Sequence, residues 1–429
     1  MVLKGKIFMS IEYRKETEKK IQEQIDELIS DAPYYVKNFA KHMHGGKREI
    51  STQLGYIRNV ILFLRHEHST LSAYKDSKFS DLPITVLDSL RLDDINEYRD
   101  YLKNVKKLSN ATMRKHLVSI SVFYKYLLMK ELVVKDPTQF VEAPPVNKKK
   151  IVHLDSSLSN RLLNGILANN KYLIEPEDGD DYVVDILEPI RIKREPLVLR
   201  NYAIVCLFLG SGLRISELVG LDLEDVDFRN NQLTVVVKGG DETTVYFGEE
   251  VSKALKEYIN GLPIPSDLAD KYKYTNSEAY EWCKNHLADN DFIKNLEEKY
   301  PECDESFKRD MIKLRYSLLR QGRSSLKPQK GNKAVFITTR GTRMSVRSVE
   351  LMIKEMVKTY LPDYEDKDKF SPHKLRATCA TRILSQTGDI QMASTQLNHA
   401  NISVTAEFYA AIQKDRQKNT IQNLDINKW

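Results

Sequence analysis

Between residue 33 and about residue 140, apolar side chains recur at a spacing near ~3.6, the period of a helix, over segment after segment. STQLGYIRNVILFLRH (51–66), LDDINEYRDYLKN (92–104) and SNATMRKHLVSISVFYKYLLMKEL (109–132) carry the rhythm most clearly. Ser109 or Asn110 can cap the last of these, and Asp136-Pro137 lies just beyond its end. KETEKKIQEQIDELI reads as a polar helix over about 11–30, within an N-terminal helical extension of residues 1–30. Pro144-Pro145 and then Asn147-Lys-Lys-Lys150 interrupt the pattern and read as a linker, 146–150. With 429 residues the chain exceeds one ordinary domain, so a helical domain over 31–145 and a second domain over 151–429 are expected.

The second domain mixes periods. Strands are expected at 233–237 and 243–247, with AVFITT (334–339) as another extended piece, and most of the rest is helical. The fold class that follows is mostly α with a small antiparallel β-sheet. Charge is unevenly spread. The net charge is only +6, yet residues 313–333 hold seven Lys/Arg and no acid, whereas 175–189 hold seven acids and no base. The basic stretch reads either as a nucleic-acid contact surface or as a solvated face, and the acidic one as an outward-facing insertion. No apolar run approaches ~20 residues and no signal-peptide pattern opens the chain, so a cytoplasmic protein without a membrane partner is expected. Cys283, His286 and Cys303 superficially suggest a zinc cluster, but no fourth ligand is evident, and no metal site is expected.

Chemistry concentrates near the carboxy-terminal end. In SPHKLRAT (371–378), His373 and Arg376 stand three apart and share one helix face. LNHANISVT (397–405) brings His399, and Tyr409 follows one helical segment later. Taken singly these residues mean little in a chain with 22 tyrosines and 9 histidines. Far upstream, LFLGSGLRISELVGLDLEDVDF (207–228) breaks an apolar helix at Gly210-Ser-Gly212 and restarts it at Arg214, with Glu217 three residues on. The plain reading is an i,i+3 ion pair. An arginine between Leu213 and Ile215 is nevertheless costly to bury without an anionic partner. Together, two guanidiniums, two imidazoles and a phenol can handle one phosphodiester: the cations neutralise the phosphate, a neutral imidazole accepts the phenolic proton, and the phenol attacks phosphorus.

GLRISEL, PHKLRAT and NHANISVT…Tyr409 resemble, in order, the signature boxes of the tyrosine site-specific recombinases, the Xer/phage-integrase family. The resemblance implies an α-helical core-binding domain followed by a mixed α+β catalytic domain. It implies that Arg214 and Arg376 clamp the phosphate, His373 handles a proton, His399 stands beside the scissile phosphate and Tyr409 is the nucleophile. Glu217 matches the acidic residue supporting the first arginine. Lys238, in LTVVVKGGDETTVYF, matches the hairpin lysine that protonates the leaving 5′-oxygen. Two departures stand out. Asn398 replaces the usual glycine, although asparagine tolerates a left-handed backbone. Gly239-Gly240-Asp241 replaces a more basic turn, and a solvated hairpin-tip lysine is the alternative for Lys238. In the first domain, Thr112, Arg114, Lys115 and His116 become candidate DNA contacts.

Against a compact family member, 172–197 and 264–331 read as insertions. The tail 410–429, with Ile412, Ile421, Leu424 and Ile426, is expected to dock on a neighbouring protomer. The implied partners are double-stranded DNA carrying a recombination site and further copies of the chain in a synaptic tetramer, with accessory or partner recombinases possible and no cofactor. The expected function is site-specific recombination through a covalent 3′-phosphotyrosine, for integration or excision of a mobile element. Alternatives are Xer-type dimer resolution, a DNA-binding regulator without turnover, and a type IB topoisomerase-like enzyme.

Overall fold

The computed structural model describes residues 8–46, 49–146, 152–168, 197–237, 241–261, 277–286, 291–319, 322–398 and positions 402, 405–406, 410 and 413. The linker at 147–150, nearly all of the 172–197 insertion, and Lys238, His399 and Tyr409 lie outside them. The chain forms two compact units, one of Ile11–Lys150 and one that runs from Ile151 onward and is grouped with the residues before Ile11. The fold is mostly α with one small antiparallel sheet.

The first unit is all helical: α1 (Phe8–Ile29), α2 (Tyr34–His44), α3 (Ile50–Thr70), α4 (Ile84–Ser89), α5 (Leu92–Asn104) and α6 (Asn110–Met129). Aromatic side chains fill its centre. Tyr35, Phe39, Phe63, Tyr98, Phe123 and Tyr124 are fully buried, and α3 packs along α6. Ile25 of α1 belongs to the same core, with Ile21, Leu28 and Ile29 packed against it, so the first helix is part of this bundle. Ser109 caps α6, its hydroxyl accepting from the Thr112 N–H at 3.3 Å.

The second unit contains α7 (Ser156–Ala168), a helix over 197–211 (α8), α9 (Ile215–Gly220), β1 (Val226–Asp227), β2 (Gln232–Val236), β3 (Glu242–Tyr246) and α10 (Glu249–Asn260). There follow α11 (Ser277–Asn285), α12 (Phe292–Lys299), α13 (Glu305–Leu319), α14 (Val346–Tyr360), α15 (Pro372–Thr387) and α16 (Ile390–Gln396). In α8 every residue from Ala203 to Leu209 is buried, which marks it as a central helix with no solvent face. The sheet order is β1-β2-β3, with Leu233 opposite Val245 and Thr234 opposite Thr244. Leu233 and Val235 point inward while Thr234 is exposed, the alternation expected of a half-buried strand.

AVFITT does not form a regular strand. It makes two isolated bridges, Asp222 to Ala334 and Ile337 to Arg343. Side chains have taken carbonyls that a neighbouring strand would need: Arg323 Nε donates to Ala334 O at 2.8 Å and Arg200 Nη1 to Ile337 O at 2.8 Å. The basic stretch 313–333 is likewise not one cationic face. Among the described side chains, Arg315 and Arg323 are buried, Lys333 pairs with Glu224 at 2.7 Å, and Lys327 and Lys330 are exposed.

Within the 264–331 insertion, α11, α12 and α13 hold a small core of their own, built from Ala279, Cys283, Phe292, Leu296, Met311 and Leu314. Cys283 is part of that apolar core, and burial pushes its thiol up to about 12. The His286 ring stacks on Trp282 at 4.4 Å.

Candidate active site

The site begins with a broken helix. At the end of α8 Gly212 turns left-handed, with φ at +69°, and its N–H still reaches Phe208 O at 3.1 Å. Two residues later Arg214 stands at the head of α9. Its backbone N–H donates to Glu217 Oε2 at 2.7 Å, and its Nη1 donates to Glu217 Oε1 at 2.7 Å. Glu217 is buried, so one carboxylate both starts the helix and orients the guanidinium. Arg214 is therefore the partly exposed half of the i,i+3 pair, with 30% of its side chain accessible against 5% for Glu217.

Arg376 arrives from α15, which opens with Pro372 as its first residue. It is buried, and its Nη1 lies 3.9 Å from Glu217 Oε2. Its Nη1 also donates to Gly212 O at 2.5 Å, and its Nη2 donates to Leu397 O. Arg214 Nη2 takes the next carbonyl along, Asn398 O, at 2.6 Å. The two guanidiniums thus share one carboxylate and hold consecutive carbonyls. Burial above all, and then the positive Arg214, push Arg376 down to about 10, against the pull of Glu217.

Asn398 adopts φ +49°, the left-handed turn expected where the family uses glycine, and its N–H bonds Thr395 O at 3.0 Å. That conformation turns the Asn398 carbonyl to Arg214. His373 lies one turn before Arg376 on α15. Partial burial, and then the charge of Arg376, hold its imidazole below the ordinary histidine range. A neutral imidazole beside two cations is a proton acceptor in waiting. If His373 accepts the nucleophile's proton, cleavage needs the neutral ring. The acid limb of single-turnover cleavage should therefore be centred below pH 6.5. An acid limb centred above 6.5 would remove His373 from that role.

The structure brings together Arg214, Glu217, His373 and Arg376. Lys238, His399 and Tyr409 fall outside the described residues, although the strands on either side of Lys238 and the turn before His399 are in view. In the first unit Arg114 and Lys115 are exposed on α6. His116 is not on their surface. It is buried, with Nδ1 3.5 Å from the Tyr98 hydroxyl, so the period of α6 turns it into the bundle and away from any phosphate. Thr112 is half-buried and shares a hydrogen bond of 2.9 Å with the Ser109 hydroxyl, which engages it in the helix cap.

Sequence reasoning missed Gln396. Its Nε2 donates to Ser211 O at 3.1 Å and to Tyr246 O at 2.7 Å, linking α16 to the end of α8 and to β3. Arg343 was missed as well. It fixes the end of α9 by donating to Val219 O, Leu221 O and Asp222 Oδ1.

The sequence profile of the phage integrase family matches residues 180–416, and that of the phage integrase N-terminal SAM-like domain matches 36–133. Among curated relatives, tyrosine recombinase XerS of Streptococcus pneumoniae is 27% identical over 421 residues, covering 94% of this chain and 98% of that protein. Tyrosine recombinase XerC of Caldanaerobacter subterraneus is 25% identical over 390 residues, covering 89% and 83%. Two solved structures share the fold at TM-score 0.53. The Tn1549 transposon integrase in complex with transposon right-end DNA is 19% identical, covering 90% of this chain and 99% of that one. The XerH recombinase bound to a palindromic difH substrate is 12% identical, covering 94% and 89%.

Proposed function

The chain belongs to the phage integrase family, whose profile spans more than half of its residues, and on that premise we propose that it cuts and rejoins DNA at a defined site through a covalent 3′-phosphotyrosine. The observation that supports this most is the convergence of Arg214 and Arg376 on Glu217, with His373 one turn away. Among the described residues, the bonds named above use one N–H of each Nη of the two arginines. Each fork has five such hydrogens, so donors remain for non-bridging phosphate oxygens.

In this reading the Tyr409 oxygen attacks phosphorus while His373 takes its proton. The guanidiniums carry the charge that grows on the pentacoordinate phosphorus. Lys238 gives a proton to the departing 5′-oxygen. The bond to that oxygen breaks as the bond to tyrosine forms, and the ester stores the energy of the phosphodiester. A 5′-hydroxyl from another strand can then reverse the step without ATP. His399 stands beside the phosphate, and the exposed Arg114 and Lys115 meet the DNA backbone from the helical unit. Double-stranded DNA and a tetramer of this chain complete the complex, in the cytoplasm.

For the biological role, one observation moves the preference. The pneumococcal relative spans 98% of its own length against 94% of this chain, so a long, elaborated catalytic region does not set this chain apart from proteins named Xer. We therefore rank Xer-type dimer resolution first and integration or excision of a mobile element second. DNA recovered as a covalent adduct would supply the target site. A plasmid with two directly repeated copies should then resolve into two circles in excess EDTA and without ATP. Strict dependence on magnesium, or relaxation of a plasmid lacking the site, would overturn this reading. Recovered DNA that maps to the two ends of an excisable element would reverse the ranking.

A further inference from the structure

Two loops that the cleavage chemistry leaves unused meet at Gly341. One is the end of the 264–331 insertion, which carries Lys327 and Lys330; the other is the turn 338–342, which carries Arg340. The Gly341 carbonyl accepts from the Gln329 N–H at 3.0 Å and from Asn332 Nδ2 at 2.6 Å, so both loops hang on one atom. The Thr338 N–H donates to Thr342 O at 2.8 Å, the Gly341 N–H donates to Thr338 O at 3.0 Å, and the two threonine hydroxyls meet at 2.8 Å. Gly341 is left-handed at φ +72°, and a Cβ there would run into Lys327 O and Gln329 N. Only glycine lets the loops approach this closely. Lys327 is itself left-handed at φ +49°, a conformation that lysine rarely adopts.

The charge on this braced pair of loops is unanswered. From Met311 to Val349 the chain has no Asp or Glu. Acids from elsewhere answer two of the cations: Glu224 pairs with Lys333 at 2.7 Å and Asp222 with Arg343 at 2.5 Å. Lys327, Lys330 and Arg340 are exposed, and among the described residues none of the three forms an ion pair. Like charges on adjoining backbones repel one another, so a rigid arrangement of them favours an anion from outside. Three separate point charges suit spaced phosphates better than a single one. The loops are also fixed to the active site. Arg343, just beyond the turn, donates to Val219 O and Leu221 O at one end of α9, and Arg214 stands at the head of the other.

We propose that Lys327, Lys330 and Arg340 form a phosphate-binding platform for duplex DNA, meeting backbone phosphates other than the one that is cut. The inference rests on the reading of the chain as an enzyme of DNA. Phosphate contacts carry no base information, so the platform adds affinity to every duplex alike and leaves the cleavage step alone.

The test uses the full-length chain and the variant Lys327→Gln, Lys330→Gln, Arg340→Gln. Binding is measured against salt concentration on a labelled duplex of mixed sequence and on the duplex recovered as a covalent adduct. Each lost phosphate contact removes about 0.9 from the slope of log affinity against log salt, so the slope should become shallower by about 2 to 3 on both duplexes. Affinity at 0.1 M salt should fall about tenfold to a hundredfold, equally on both. Single-turnover cleavage at saturating protein should stay within about threefold, which also reports folding. The control neutralises Lys20, Lys284 and Lys299, exposed lysines already paired with Glu16, Glu281 and Glu278. It removes the same charge and should leave the slope within about 0.5 of the unaltered value.

An unchanged slope in the platform variant, or an equal change in the control, overturns the inference. So does cleavage more than about tenfold slower at saturation, which would put these cations at the cut phosphate. If the unaltered chain forms an adduct and only the platform prediction fails, the proposed function stands. If the unaltered chain binds neither duplex, the proposed function fails and the inference falls with it.

Discussion

Alanine in place of Arg376 should abolish strand cleavage and also weaken the fold, whereas alanine in place of Arg214 should abolish cleavage at a smaller cost to stability. Both changes remove a cation from a charged transition state, and each should lower single-turnover cleavage by ~10³-fold or more. The difference lies in what is left behind. Arg376 is buried, and its loss strands the Gly212 and Leu397 carbonyls inside the protein and takes one cation from Glu217. Breaking a buried pair on one side typically costs about 3–5 kcal/mol. Arg214 is partly exposed, so water can reach some of what it leaves, and a loss of about 1–2 kcal/mol is expected. Denaturant midpoints measured beside cleavage rates decide the matter. Equal destabilisation by both changes, or cleavage surviving in either variant, would contradict the arrangement described here.

The second large effect is expected from a single methyl group. Gly212→Ala would place a Cβ 2.4 Å from Leu397 Cδ2 and 3.2 Å from Cys379 Sγ, on a backbone with φ +69°. Leu397 is buried, so it cannot swing out without moving its neighbours. Left-handed strain and overpacking together should cost about 2–3 kcal/mol. The kinetic effect should be larger than that suggests. Leu397 lends its carbonyl to Arg376 and precedes the carbonyl that holds Arg214, so pushing it aside shifts both guanidiniums. A displacement of about 1 Å in such a site costs on the order of a hundredfold in rate. Shortening the obstacle should help, so Gly212→Ala with Leu397→Ala should recover part of the activity that Gly212→Ala loses. A Gly212→Ala variant that cleaves at the unaltered rate would show that the left-handed break does not position the arginines.

Much of this site was legible in the sequence because its chemistry is written in side chains. Arg214 with Glu217, and His373 with Arg376, were recognisable from residue type and helical spacing, and the structure brings the two pairs together. Asn398 was legible for a related reason, since few residues tolerate the left-handed turn it occupies. What the sequence concealed is mostly backbone. The acceptors that aim the arginines are the carbonyls of Gly212, Leu397 and Asn398, and a carbonyl has no letter of its own. Gln396 was overlooked because both of its partners are also carbonyls, supplied by distant elements. Lys/Arg runs misled in the opposite direction. Arg315 and Arg323 look like surface charge in a string of letters, yet Arg315 lies over the Phe292 ring at 4.2 Å and Arg323 secures the 332–334 backbone. His116 misled because the residues beside it, Arg114 and Lys115, are exposed.

Everything turns on which oxygen becomes esterified to DNA. Tyr360 and Tyr364 are the alternatives nearest in sequence to the His373 box. An added Cβ on Gly165 would lie 2.6 Å from the Tyr360 ring, which packs there, and burial raises the Tyr364 hydroxyl above its usual range. The decisive measurement is to trap the adduct on a nicked substrate, digest the protein and map the nucleotide-bearing peptide by mass spectrometry. The expected result is a peptide containing Tyr409, and no adduct from Tyr409→Phe with binding intact. A nucleotide on any other tyrosine, or an adduct that persists in Tyr409→Phe, would contradict it.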